Sequence, residues 1–202
     1  MRGKLTPEKT CLFVCDVQEL FRPRIHHMES LIHVTQYMMR GAKALKIPTI
    51  VTEQYPEKLG KTVKELQPHL TADVPNIPKM DFSMCVQDVI RHLQSMPAVK
   101  QVLLVGIEAH VCVLQTALDL LDLGYEVHLV LDAVSSQSPA DREVAIQRMR
   151  DAGAYVTTSE SALFQLLRSA KAPTFKAISN LAKEPRMQPQ LGISPVSQLS
   201  KL

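Results

Sequence analysis

The sequence contains no tryptophan, and aromatic residues fill only 4% of its 202 positions. Proteins that bind single-stranded nucleic acids commonly stack bases on aromatic side chains, so few such platforms are available here. The chain also lacks an apolar run of roughly 20 residues, the length that a membrane-spanning helix requires. These absences argue against a stacking-based nucleic-acid binder and against a membrane protein.

Cysteine is scarce, and its spacing does not form a disulfide or metal pattern. The four cysteines include no Cys-x-x-Cys pair, and Cys11 and Cys15 fall on the same face of one apolar strand. The first ten residues contain no apolar stretch of the kind found in a secretory signal. We therefore expect a reducing compartment, with the cytoplasm favoured and a mitochondrial location as the alternative.

The sequence also lacks a large excess of either charge. It contains 23 Lys and Arg residues and 20 Asp and Glu residues, which give a net charge of +3. Nucleic-acid binders usually concentrate basic residues on one face, so nucleic acid is a disfavoured partner. With 46% hydrophobic residues, the chain can bury one substantial core. We predict a single domain over residues 1–186 and a tail over residues 187–202 that is rich in Pro, Gln and Ser.

Short apolar runs alternate with helical patterns along most of the chain, without hairpin signals between them. The predicted strands are 10–16, 49–53, a short one ending at Lys79, 102–105, 126–131 and 154–158. The predicted helices are 30–45 with Ser30 as N-cap, 84–93, one that starts near residue 111, 139–152, 159–167 and 173–182. This alternation predicts an α/β fold: a three-layer, doubly wound, six-stranded parallel sheet with helices on both faces.

The stretch at residues 101–121 contains the strongest candidate for a reactive residue. Val102–Val105 read as a buried strand that runs into Gly106, and helical spacing begins at Val111, which puts Cys112 in the first turn of a helix. Ligands bind at the carboxyl ends of parallel strands, and a helix N-terminus favours a thiolate. Cys112 is therefore a candidate nucleophile, although a buried cysteine that only fills space is a common alternative.

Two charged residues follow other predicted strands. Asp16 ends the apolar run LFVCD, and Lys79 follows the extended segment VPNIP. An acid at the end of a hydrophobic strand is costly without a partner, whereas Lys79 taken alone could be an ordinary exposed lysine. Right-handed crossovers would place both residues and Cys112 at one edge of the sheet.

Several separated motifs resemble the isochorismatase-like cysteine hydrolases and occur in that family's order. They are DVQ at 16–18 with Phe21 downstream, K-x-x-F-S at 79–83, GIEAHVCV at 106–113 and DA at 132–133. Two more, TEQYPEKLG at 52–60 and FKAISNLAKEP at 175–185, are similar to the type 2 branch of the eukaryotic isochorismatase domain-containing proteins. The resemblance covers about residues 8–186.

This resemblance implies the strand order 3-2-1-4-5-6 and a triad of Cys112, Asp16 and Lys79. It also implies a cis peptide between Ile107 and Glu108, after which the backbone N–H groups of Glu108 and Cys112 form an oxyanion hole. Family members that are true isochorismatases lack a cysteine at the nucleophile position. Cys112 therefore favours the amidase-type branch, which works through a thioester intermediate.

Nicotinamidase-type members of the family bind a metal through an Asp-x-His pair and a further histidine. This chain has Glu53, Gln54 and Tyr55 there, so we expect no catalytic metal and no cofactor. The segment either lines the substrate pocket or shapes a surface loop. Asp132, at the end of the fifth predicted strand, is expected to organise the loop that follows it. The tentative substrate pocket comprises Gln18, Phe21, Glu53, Tyr55, Phe82 and His110.

The favoured function is hydrolysis of an amide-type C–N bond in a small molecule. Two other functions stay open: a catalytically idle scaffold that binds a protein partner, and an RNA-binding or ribonuclease role suggested only by the mildly basic charge. We also expect a homo-oligomer, because many relatives in the family form dimers or larger rings.

Overall fold

A computed structural model describes residues 3–185, 187 and 191. Six strands form one sheet in the order β3-β2-β1-β4-β5-β6, and every neighbouring pair is parallel. The strands are β1 Thr10–Cys15, β2 Thr49–Gln54, β3 Asn76–Lys79, β4 Gln101–Gly106, β5 Glu126–Val134 and β6 Tyr155–Thr157. The predicted doubly wound sheet and its strand order are confirmed. The predicted tail at 187–202 lies outside the described residues except for 187 and 191.

Helices cover both faces of this sheet. They are α1 Met28–Ala44, α2 Pro56–Leu59, α3 Gln87–Ser95, α4 Leu114–Asp122, α5 Pro139–Asp151, α6 Ser159–Leu167 and α7 Phe175–Ala182, with short 3₁₀ turns at Pro7–Lys9, Glu19–Phe21 and Gln67–His69. Across the part of the chain that the structure describes, no helix combines the length and apolar character needed to cross a bilayer.

The side chains of β1 alternate between two apolar clusters. Leu12 and Val14 pack with α1, α6 and α7, whereas Phe13 and Cys15 pack with α3, α4 and α5. Successive residues of a strand point to opposite faces, so a fully buried strand supplies both layers of the core. The same alternation places Cys15 on the face of the sheet where Cys112 lies.

Gly106 allows β1 and β4 to approach closely at the carboxyl edge of the sheet. It pairs with Cys15, its φ is +119°, and a Cβ atom there would lie 2.1 Å from the Cys15 carbonyl oxygen. A larger residue would therefore collide with the backbone of β1 as well as strain its own. The glycine lets the chain leave β4 and turn across the end of β1.

Several boundaries predicted from the sequence are wrong, including those of α1, α3 and β5. Helix α1 begins at Met28, so Ser30 is buried inside the helix and does not cap it. Helix α3 begins at Gln87, three residues later than predicted. Strand β5 continues to Val134 because that residue still pairs with β4, so Asp132 lies within a strand.

Asp132 holds the N-terminus of a helix. Its carboxylate oxygens accept hydrogen bonds from the backbone N–H of Ser159 at 2.8 Å and from the Ser159 hydroxyl at 2.5 Å. Ser159 is the first residue of α6, where a negative charge is favourable beside the free N–H groups. Asp132 therefore connects α6 to the sheet, and its expected role in the loop after β5 stays a prediction.

His128 makes the stability of the fold depend on pH. It is 2% exposed, stacks on Tyr155, and no described group hydrogen-bonds its Nε2 atom; burial lowers its pKa to about 4. As the pH drops, His128 is therefore protonated in the unfolded chain before it is protonated in the folded one. The free energy of unfolding falls between about pH 6.5 and pH 4. We expect unfolding by urea to show a loss of about 3 kcal/mol between pH 7 and pH 4.

Other groups titrate in the same range, so the test compares the wild type with His128→Phe, which keeps a ring against Tyr155. The variant should lose about 3 kcal/mol less than the wild type over that interval. Equal losses in the two proteins would contradict the assignment to His128.

Candidate active site

Asp16 and Lys79 form a buried ion pair at the carboxyl edge of the sheet. Lys79 Nζ lies 2.7 Å from Asp16 Oδ2, and the two side chains are 0% and 1% exposed. Asp16 directly follows β1 with φ +52°, and Lys79 is the last residue of β3. The structure thus brings together an acid and a base that are 63 residues apart in the chain.

The Lys79 ammonium also holds the loop that follows β3. Besides Asp16, it donates to Gln54 Oε1 at 2.7 Å and to the backbone carbonyl oxygens of Asp81 at 3.1 Å and Phe82 at 2.9 Å. An ammonium carries three N–H bonds, so all of them are engaged by these acceptors. Lys79 therefore acts on its surroundings through its charge and by fixing this loop.

The neighbours of Lys79 stabilise its protonated, positively charged form. Burial alone would lower its pKa, but the nearby Cys15, Asp16 and Cys112 outweigh that effect and raise the pKa above its usual value. A cation next to groups that can carry negative charge loses its proton less readily. The sulfur of Cys112 therefore lies within the electrostatic reach of an ammonium.

Thr52 holds the second oxygen of the Asp16 carboxylate. Its hydroxyl donates to Asp16 Oδ1 at 2.7 Å, and the residue is fully buried on β2, paired with Cys15. The sequence analysis missed this contact, for which the only signal was one hydroxyl in a buried strand. Because Thr52 and Lys79 bind different oxygens, the carboxylate is fixed in one orientation.

Thr52→Val is expected to destabilise the protein by about 2 kcal/mol, because a buried carboxylate loses a hydrogen bond while the side-chain shape is kept. Urea unfolding measures this loss. Thr52→Ser, which retains the hydroxyl, should recover most of it. If the valine and serine variants were equally stable, the hydroxyl would have no such role.

Cys112 lies in a π-helical turn, Ala109–Val113, and is 7% exposed. Its predicted place in the first turn of a helix is confirmed, but this turn is π-helical and the α-helix α4 begins at Leu114. The carbonyl oxygen of Cys112 accepts a hydrogen bond from Thr116 Oγ1 at 2.6 Å, and the same hydroxyl accepts one from the Met84 N–H at 2.8 Å. The turn is thereby connected to the segment that follows Lys79. Such π turns occur frequently at functional sites.

Residues that follow β5 hold the start of the turn that contains Cys112. The peptide bond between Ile107 and Glu108 is cis. The Glu108 carboxylate accepts hydrogen bonds from the backbone N–H and the side-chain amide of Gln137 at 2.9 and 3.1 Å. The Ala109 N–H donates to the Ser135 carbonyl oxygen at 2.8 Å. The residues after β5 therefore determine where the cysteine turn lies.

A buried arginine fixes the end of β5. The Arg142 guanidinium donates to the carbonyl oxygens of Val134 at 2.7 Å and Leu131 at 2.6 Å, and burial lowers its pKa. Arg142 lies on α5, so this helix positions the end of β5 and, through it, the segment that supports the cysteine turn.

Two residues of the expected substrate pocket belong to the framework. The side-chain amide of Gln18 donates to the carbonyl oxygens of Gln54 and Gly60 and accepts from the Gln54 N–H. Glu53 is 4% exposed, and its Oε1 atom accepts two hydrogen bonds from Thr62, at 2.7 Å each. These side chains hold the loop around residue 60 to the sheet, and their place in a substrate pocket stays a prediction.

The other four expected pocket residues have different surroundings. Phe21 packs against the cluster on the α1 face, and Tyr55 lies beneath the Lys58 ammonium, 5.4 Å from its ring centre. Phe82 is 51% exposed. His110 Nδ1 lies 2.9 Å from the Ser136 hydroxyl. Only Phe82 and His110 are close in sequence to the Lys79 loop and the cysteine turn.

A surface cavity of about 410 Å³ adjoins the Lys79 loop. Phe82 and Ser83 line one side of it, and Gln115 and Asp119 of α4 line the other. Cys112 is not among the residues that line it. Within residues 3–185, 187 and 191, no three His, Cys, Asp or Glu side chains converge in a way that could hold a metal ion.

Comparison with known proteins agrees with this architecture. The isochorismatase domain family model matches residues 10–161. The secreted isochorismatase effector Isc1 of Phytophthora sojae is 52% identical over 185 residues, which cover 90% of this chain and 88% of that protein. Isochorismatase domain-containing protein 2 of Xenopus laevis is 46% identical, with 91% of this chain and 88% of the relative covered.

A solved structure extends the comparison to three dimensions. The protein named MAR1 ribonuclease from Caenorhabditis elegans superposes with a TM-score of 0.90 at 43% sequence identity, covering 96% of this chain and 98% of that one. Since the family model matches most of the sequence and relatives of this similarity extend over about 90% of it, the chain belongs to the isochorismatase family.

Proposed function

We propose that this protein is a cysteine hydrolase that cleaves an amide-type C–N bond in a small molecule. The observation that carries the proposal is geometric: Asp16 pairs with Lys79 and lies 3.6 Å from the Cys15 sulfur, and Cys15 shares one buried cluster with Cys112. A sulfur, a carboxylate and an ammonium in one buried place are the groups that activated thiol nucleophiles use. Membership of a family that includes hydrolases supports the same reading.

In the first half of the reaction, Asp16 accepts the thiol proton and the Cys112 sulfur attacks the carbonyl carbon of the amide. Thr52 occupies one acceptor position of Asp16 Oδ1, which leaves a second lone pair on that oxygen. The Lys79 ammonium stabilises the thiolate through its charge. The C–S bond forms, the C–N bond then breaks, and the proton on Asp16 passes to the leaving amine.

In the second half, the ionised Asp16 takes a proton from water, and the hydroxide formed attacks the thioester carbon. The C–S bond breaks, the acid is released, and the proton returns to the Cys112 sulfur. Each tetrahedral intermediate carries an oxyanion that needs hydrogen-bond donors. We assign this role to the backbone N–H groups of Glu108 and Cys112, which belong to the turn held by Gln137.

The size of the acyl group follows from the exposure of the nucleophile. Only 7% of Cys112 is exposed, and Thr116 joins the π turn that contains it to Met84, in the segment after the Lys79 loop. A bulky acyl group would have to displace one of these two segments. We therefore propose a primary or short-chain amide of a small molecule as the substrate class.

Intact-mass analysis of the protein mixed with a panel of small amides tests the proposal. Acid quenching during turnover should trap a species heavier by the acyl group, and amine should be released in step with acid. Peptide mapping should place the acyl group on Cys112. Acylation at Cys85 instead, which is half-buried and whose pKa burial raises to about 11, would contradict the proposal.

A ribonuclease is the second candidate function. It is favoured by one observation, that the Caenorhabditis elegans protein of similar structure carries that name. Against it stand the small net charge of +3 and the scarcity of aromatic residues. RNA cleavage that survives in Cys112→Ala and weakens steeply with salt would favour this candidate over the hydrolase. The idle scaffold requires Cys112 to react with thiol reagents no faster than Cys11.

The homo-oligomer and the cytoplasmic location stay predictions. Met80 and Phe82 expose 65% and 51% of their surface beside the Lys79 loop, and a second copy could cover them. The four cysteines are free thiols, which a reducing compartment would preserve.

A further inference from the structure

Cys15 is a second thiol in the candidate active site, and the proposed mechanism assigns it no role. It is the last residue of β1 and is 0% exposed. Its Sγ atom lies 3.6 Å from Asp16 Oδ2, with the S–H group donating to the carboxylate. Because this oxygen also accepts from the Lys79 ammonium, Cys15 lies directly beside the ion pair.

The Cys15 thiol also has Cys112 as a neighbour in the protein core. Both side chains belong to the apolar cluster on the α4 face of the sheet. Burial, followed by the contact with Cys112 and the charge of Asp16, raises the pKa of Cys15 well above its ordinary value. Cys15 therefore keeps its proton at neutral pH and is a donor that two anionic groups can share.

The strand register places the Cys15 thiol near both groups. Cys15 is paired with Thr52 on one side and with Gly106 on the other, and Gly106 lets β1 and β4 approach closely just before the turn that carries Cys112. A residue that served only to fill this position could be any small apolar one. A thiol adds a hydrogen atom that can be donated inside the protein core.

We propose that Cys15 is a positioning residue whose protonated thiol lies between Asp16 and Cys112 and stabilises the Cys112 thiolate by donating a hydrogen bond to it. The inference rests on the proposed function, since it concerns the same nucleophile. When Cys112 is a thiol, Cys15 donates to Asp16, as observed. When Cys112 loses its proton to Asp16, the Cys15 hydrogen turns to the sulfur, which now carries the negative charge.

The pH dependence of Cys112 alkylation by iodoacetamide tests this inference. The rate is measured by mass spectrometry of the Cys112 peptide in the wild type, Cys15→Ala, Cys15→Val and Cys15→Ser. Loss of the donor should move the midpoint of the pH–rate profile upwards by about one unit, a tenfold change in the thiolate population, in both apolar variants. Cys15→Ser, which keeps a donor, should return the midpoint to within about 0.3 units of the wild-type value.

Two apolar variants separate hydrogen bonding from packing, because valine is larger than alanine but equally unable to donate. Cys11→Ala is the matched control: Cys11 lies on the same strand and in the same cluster, and its thiol is directed to the Leu12 carbonyl oxygen. It should leave the midpoint unchanged. A midpoint that stays at the wild-type value in both Cys15→Ala and Cys15→Val overturns the inference, and so does a midpoint that differs between them.

The same measurement distinguishes this failure from failure of the proposed function. If Cys112 is the fastest-reacting thiol in every variant and the midpoint does not move, the result supports Cys112 as the nucleophile and contradicts only the role of Cys15. If Cys112 in the wild type reacts no faster than Cys85, both are overturned. Far-UV circular dichroism of each variant confirms that a folded protein was measured.

Discussion

Cys112→Ala is expected to lower the rate of amide hydrolysis by about 10⁴-fold or more, because no other group can form the thioester. The variant should also show no acyl species in the acid-quenched mass spectrum. Substrate binding should change little, since the residue removed is small and only 7% exposed. The loss should therefore fall on kcat and leave KM within a few-fold of the wild-type value.

Cys85→Ala is the matched control for this variant. Cys85 is the one cysteine of the four that is not buried, and it lies in the segment that follows the Lys79 loop. The variant's activity should stay within about twofold of the wild type, because burial raises the pKa of the Cys85 thiol and disfavours its thiolate. Amide hydrolysis that persisted in Cys112→Ala would exclude the thioester mechanism.

Lys79→Met is expected to lower the free energy of unfolding by about 3–5 kcal/mol. The substitution leaves the Asp16 carboxylate buried without its cation and removes the donor to the carbonyl oxygens of Asp81 and Phe82. Urea unfolding followed by circular dichroism measures the loss. Hydrolysis should fall as well, because the variant removes the charge that stabilises the thiolate.

The surface pair Asp88 and Arg91 provides the control, since its side chains are 57% and 66% exposed. Arg91→Met should cost less than about 1 kcal/mol, because water screens an exposed pair. The double variant Asp16→Asn/Lys79→Met should be more stable than the sum of the single variants predicts. A loss for Lys79→Met as small as that for Arg91→Met would contradict the buried pair.

The sheet was predictable because its strands are buried on both faces and read as continuous apolar runs. The six alternating units predicted the layers, but not the strand order, which the resemblance supplied. The predicted boundaries were wrong where contacts with other segments decide them. Val134 belongs to β5 because it pairs with β4, and Ser30 lies inside α1 because that helix begins two residues before it. Such partners are not visible in local sequence.

Cys112 and the charged members of the candidate site were predictable, but the residues around them were not. Asp16 and Lys79 stood out because charges after apolar strands demand partners. Thr52 and Cys15 did not, because a threonine and a cysteine are ordinary residues in a buried strand, and only the register of β1 against β2 places them beside the carboxylate. Glu53 was placed in the pocket because it stands where nicotinamidase-type members of the family bind a metal, but in the structure its carboxylate accepts hydrogen bonds from Thr62.

The position of β1 between β2 and β4 has a consequence for synthesis on the ribosome. Its partner on the β4 side emerges 91 residues later, so at about 5–20 residues per second the nascent chain waits roughly 5–20 seconds with one edge of TCLFVC unpaired. An apolar strand with an open edge is a template for association with other chains. Until β4 is synthesised, the strand that leads into Asp16 therefore has an apolar edge available for pairing with other chains.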